Sequence, residues 1–109
     1  MKIKQECMGG NSRQPRMARY IVENDKFIVP KMTFHISQYP SGTENWQYMM
    51  SYELLNGNMS SGVSGILLGT QNFDKAKKLA LKKLQISMDG IIKVLTSYSE
   101  FFKECYEEY

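Results

Sequence analysis

The chain has 109 residues and a mass of 12.6 kDa, enough for one domain with its own apolar core and no metal or disulfide staple. Apolar residues make up 42% and charged residues 23%, which argues against wholesale disorder, and a net charge of +3 is too small to imply a nucleic-acid partner by itself. The charge is unevenly spread: residues 1–31 carry seven Lys/Arg against three acids, 32–72 only Glu44 and Glu53, 73–84 five Lys against Asp74, and 85–109 two Lys against five acids.

Residues 1–17 are polar, with Gly9-Gly10, Pro15 and the first two of three arginines spaced by three, Arg13, Arg16 and Arg19. Such a composition buries too little apolar surface to order itself, so a flexible basic arm over 1–17 is expected ahead of a single α+β domain over 18–109. No apolar stretch follows the basic start, and no run approaches the roughly 20 residues that span a bilayer; a cytoplasmic protein without membrane contact is expected. Cys7 and Cys105 then read as free thiols.

ARYIVE (18–23) and KFIVP (26–30) flank Asn24-Asp25 and read as a hairpin ended by Pro30. MTFHISQY (32–39) alternates, with Met32, Phe34 and Ile36 on one face and Thr33, His35 and Ser37 on the other. After the loop PSGTEN (40–45), WQYMMSYELL (46–55) alternates again, placing Trp46, Tyr48, Met50, Tyr52 and Leu54 on one face. Asn56-Gly57 is the strongest hairpin signal in the chain. Its return strand, within 59–69, holds Gly62 and Gly65, which signal a bulge or a close backbone contact.

From Phe73 the period changes. Phe73, Ala76, Ala80, Leu84, Met88 and Ile91 begin a stripe that continues through Leu95, Tyr98, Phe102, Cys105 and Tyr109 on one helical face. Asn72 is the expected N-cap, and Asp74 puts an acid in the first turn. Drawn straight, such a helix reaches about 55 Å at ~1.5 Å per residue, far beyond the ~13 Å radius of gyration of a compact domain. A break at Asp89-Gly90 is expected, the alternative being a second half that projects to meet a partner, a second copy included. The fold class is therefore α+β: a mostly antiparallel sheet of three to five strands followed by a long C-terminal helix broken near Gly90.

Groups that move protons or hold metals are scarce. His35 is the single histidine and lies on the polar face of its strand; with two distant cysteines it makes no zinc set. Cys105 sits on the apolar stripe, which argues against a Cys–His pair. Gly62-Val63-Ser64-Gly65 fits neither a nucleophile elbow nor a phosphate-binding loop. Neither a catalytic residue, a cofactor nor a metal ligand is assigned, and a non-enzyme is expected. Glu100, Glu104, Glu107 and Glu108 crowd the helix end, where acids oppose the dipole and favour a basic neighbour.

On a helical wheel Lys75, Lys78 and Lys82 share the solvent side, while Lys77 and Lys83 flank the stripe, where their stems can snorkel. Trp46, Leu68-Gly69-Thr70 and Phe73-Asp74-Lys75-Ala76 with Ala80 form a pattern that resembles the three-stranded DNA-binding domains of phage integrase arms and plant ethylene-response factors. That resemblance implies DNA reading by arginines on the sheet, and residues 32–72 contain neither Lys nor Arg. The expected function is a non-catalytic protein-binding module, a small phage or mobile-element inhibitor of a host defence or nucleic-acid machine. Its surface is assigned to Trp46, Tyr48, Met49, Met50, Tyr52 and Met59. The alternative is a nucleic-acid-binding accessory protein using Arg13, Arg16, Arg19, Lys75, Lys78 and Lys82.

Overall fold

The computed structural model describes residues 2–23, 31–39, 46–56 and 58–108, without the side chains of Asn56 and Met59. The expected return strand KFIVP and the loop 40–45 lie outside the described residues. Five strands, β1 (Lys2–Gly10), β2 (Pro15–Glu23), β3 (Lys31–Tyr39), β4 (Gln47–Asn56) and β5 (Met59–Leu67), form one antiparallel sheet in chain order. One helix follows, α1 (Phe73–Glu107). The α+β class is as the sequence implied.

The alternating strands pack as their patterns dictate. Phe34 and Ile36 of β3 and Tyr48, Met50 and Tyr52 of β4 point to one face, where Ala18 and Tyr20 of β2 join them. Tyr20 and Phe34 stack at 5.0 Å between ring centroids. The helix enters this face through Phe73, Ala76, Ala80 and Leu84. Ala76 and Ala80 are fully buried, so the helix packs closely on the sheet's side chains with no large side chain of its own between them. Lys77 keeps its stem along that seam and its ammonium 5.2 Å above the Tyr20 ring.

Helix α1 starts where the sequence says it should. Asn72 Oδ1 accepts the Lys75 N–H at 2.9 Å, and Asp74 occupies the first turn. The approach to it is pinned to β4: Tyr48 N–H donates to the Thr70 carbonyl at 2.9 Å, and Leu68 N–H to the Tyr48 carbonyl at 3.0 Å.

Two expectations are overturned. Residues 1–17 are not a flexible arm over the described residues: Lys2–Gly10 forms edge strand β1, paired with β2. Almost every residue of β1 is exposed, so backbone hydrogen bonds rather than burial hold it, and apolar patterning carries no trace of it. Arg19 Nε with Glu6 at 3.0 Å and Lys2 with Glu23 at 3.5 Å add surface ion pairs, each worth about 0.2–1 kcal/mol. The β1–β2 loop is tied down by Gln14, whose Oε1 accepts from the Phe73 N–H at 3.1 Å and the Tyr48 hydroxyl at 3.3 Å. The Tyr48 hydroxyl also donates to the Pro15 carbonyl at 2.8 Å.

The second correction concerns Gly90. The helix runs unbroken through Asp89-Gly90. A glycine costs a helix interior only about 1 kcal/mol and still supplies its N–H to the ladder, so without proline the hydrogen bonds on either side outweigh it. The molecule is accordingly elongated, 61 × 30 × 22 Å with a radius of gyration of 17.2 Å.

Candidate interaction surface

The residues assigned to a protein-binding surface from the sequence do not form one. Tyr48 and Met50 are fully buried and Tyr52 is 7% exposed, all three under the helix; Trp46 packs edge-on against Tyr48 at 5.0 Å. Aromatic and Met enrichment marks interface cores and domain cores alike, and here it marks the domain core. Met49 faces the other side of the sheet and is half-buried, while the Met59 side chain lies outside the described residues.

The basic residues of the alternative reading are exposed but scattered. Lys75, Lys78 and Lys82 line the solvent side of α1, and Arg13 lies in the β1–β2 loop. Arg16 falls at the irregularity between β1 and β2, where Pro15 pairs with Gly10 and Met17 with Gly9, so it does not continue a row with Arg19. Arg19 pairs in register with His35, on the face away from the helix.

That helix-free face carries an open cleft of about 560 Å³ lined by Arg19, Thr33, His35, Ser51, Glu53 and Ser64, among others. Arg19, His35 and Ser51 stand directly opposite one another across β2, β3 and β4. The floor is bent by a bulge in β5, where the register steps between Met50 and Tyr52, Gly65 takes φ +75°, and its N–H donates to Ser51 Oγ at 3.3 Å. Burial, and secondarily the Arg19 guanidinium, holds the His35 imidazole below its ordinary 6.5. The unfolded chain therefore binds this proton more readily than the folded one, and stability falls as pH drops below 6.5 towards the lower folded value. Chemical denaturation between pH 7.5 and 5.5 should show this loss, and His35→Gln should flatten it; an unchanged slope in the variant would show that His35 is not its source.

His35 and Cys105 are not brought together, since the cysteine sits near the far end of α1 and the histidine on the sheet. Among the described residues, no group of three or more His, Cys, Asp or Glu is placed to share a metal ion. Nor, among the described residues, is any helix long and apolar enough to cross a membrane.

The largest uncovered apolar surface lies elsewhere. From Gln85 to Glu107 every residue of α1 is exposed or half-buried, because the helix has run past the edge of its own sheet. Met88, Ile91, Leu95, Tyr98, Phe102 and Cys105 follow one another at alternating spacings of three and four, a seam of a and d positions. Leu95 is 61% and Phe102 62% exposed, and Ile92, Val94, Phe101 and Tyr106 widen the stripe on both sides. Tyr98 and Phe102 stack at 6.3 Å, beside a shallow groove of about 470 Å³ bounded by Val94, Ser97, Tyr98 and Phe101.

No protein-family model, curated protein or solved structure matches the chain. The stripe is thus read from its own chemistry. The apolar side chains from Ile91 to Tyr106 leave on the order of 800 Å² open, about one side of a standard protein interface and more than the largest patch of most monomers. The helical period made this stripe visible in the sequence, but an unbroken helix was needed to strip it of its cover.

Proposed function

We propose that the chain is a non-catalytic protein-binding module whose docking element is the projecting half of α1. The observation that carries this reading is the exposed seam of Ile91, Leu95, Tyr98 and Phe102 on a helix whose first turns are clamped to a sheet. A helix presented in this way offers its apolar residues at i, i+3, i+4 and i+7, the spacing that helix-binding grooves and other helices accept. Clamping at Phe73–Leu84 positions the free half without a partner, which lowers the ordering cost of association. The expected role as a phage or mobile-element inhibitor of a host machine belongs with this reading as its setting.

The nucleic-acid alternative is separated from it by salt. Fluorescence anisotropy with random duplex DNA and RNA should show no binding that falls steeply between 50 and 200 mM salt, a range in which ~6–10 phosphate contacts lose about 10³–10⁵ in affinity. Tight, salt-sensitive binding abolished by Lys75→Ala, Lys78→Ala and Lys82→Ala together would overturn the protein-binding reading.

A further inference from the structure

The seam on α1 is a single face with two covers. From Phe73 to Leu84 it is covered by the chain's own sheet, Met88 packs half-buried at the rim of that core, and from Ile91 onward no other element among the described residues covers it. We infer that the missing cover is the same stretch of a second copy, packed antiparallel, so that the chain is a dimer built on two crossed-over helix ends. This rests on the projecting half being the docking element and names what docks there.

Three observations select this occupant and this direction. The first is register. Antiparallel seams pair an a residue with a d residue, and this seam pairs with itself without remainder: Met88 with the partner copy's position 105, Ile91 with 102, and Leu95 with 98. The match covers residues 88–105, about 26 Å of helix.

The second observation is charge. The tip of α1 holds Glu100, Glu104, Glu107 and Glu108, and its last turn has no basic residue to offset the negative end of the helix dipole. In the register above, Glu107 and Glu108 of one copy lie level with residues 86 and 85 of the other. Lys82 and Lys83 come within the next turn and are exposed. Each acidic tip thus meets the basic segment of its partner. A parallel pair would instead set eight glutamates side by side at one end.

The third is shape. The sheet covers the same face of α1 that the seam continues, so parallel helices in register would hold both sheets between them and be kept apart. Antiparallel helices place one sheet at each end, so that the sheets stay apart and each tip meets only the rim of the other sheet, level with residues 85–88. The seam and its flanks together expose on the order of 800 Å² per copy, the upper limit of what such packing can bury and about what a dimer of standard size uses. In this arrangement the two clefts around His35 stay open.

The full chain is tested by light scattering and by thiol cross-linking. At tens of micromolar, a mass of two copies is expected, with Leu95→Glu weakening self-association by more than about 100-fold while leaving the circular dichroism of the fold intact. Direction is read in a Cys7→Ser background. There Cys105 alone should give no covalent dimer on mild oxidation, because antiparallel partners hold these thiols about 25 Å apart, whereas Met88→Cys added to it should give one. Cross-linking through Cys105 alone would overturn the antiparallel arrangement. A monomer would overturn the dimer; if Leu95→Glu then still abolished capture of a different protein, the docking reading would stand without it. A monomer that instead bound anionic vesicles through the same residue would sink both.

Discussion

Phe34→Ala should lower the free energy of unfolding by about 3–5 kcal/mol, whereas Phe102→Ala should change it by less than about 0.5 kcal/mol in the dilute monomer. Phe34 is 1% exposed on the central strand β3, stacked on Tyr20 and paired in register with Tyr52. Removing its ring leaves a cavity that sheet and helix cannot both close. Since a domain of this size is stable by about 5–15 kcal/mol, much of the margin goes with it. Phe102 is 62% exposed and has little burial to lose. Urea denaturation of both variants measures the difference. Equal losses would mean that the far half of α1 is packed in the monomer, and the interaction surface proposed for it would disappear. Repeating the Phe102 measurement at high concentration adds the dimer term, which the substitution should then remove.

The second large effect is at a glycine. A Cβ on Gly62 would run into the Tyr52 carbonyl oxygen and come within 3.0 Å of Glu53 Cα, both backbone atoms of the neighbouring strand. Gly62→Ala must therefore push β5 away from β4, with a loss at the upper end of the roughly 1–3 kcal/mol typical of overpacking. Gly65→Ala meets no neighbouring atom but would have to hold φ +75°, a conformation that costs an L-residue about 1–2 kcal/mol. Gly9, in the edge strand β1, has neither constraint, and Gly9→Ala should be close to neutral. Thermal melts of the three variants rank the sites, and a Gly62→Ala chain as stable as Gly9→Ala would contradict the close approach of β4 and β5. Gly62 itself lines the cleft, so Gly62→Ala is also expected to disturb the environment of His35.

Much of the architecture was legible where a period repeats. Alternation in MTFHISQY and WQYMMSYELL identified the buried faces of β3 and β4, because in a strand burial itself has period two. Asn72, Asp74 and the recurrence of Phe73, Ala76, Ala80 and Leu84 identified the start and inner face of α1. Strand β1 was not legible, since Lys2–Gly10 is held by backbone pairing at a sheet edge and hides almost none of its side chains. The site was misread for a related reason. Trp46, Tyr48, Met50 and Tyr52 are apolar in the sequence whether a helix covers them or a partner does, and composition does not separate the two.

Gly90 divides what each level determines. The order of side chains by itself settled that one apolar face runs along α1 from Phe73 to the end of the chain, because a 3.6-residue period needs no tertiary context. Whether that face is inside or outside depended on how far the sheet extends beneath it, and on whether about 1 kcal/mol of glycine cost suffices to turn the helix back. It does not, the sheet ends near Met88, and the remaining stripe is left as surface. Only the tertiary structure could decide this, since burial is a property of distances between elements and not of the residues within one.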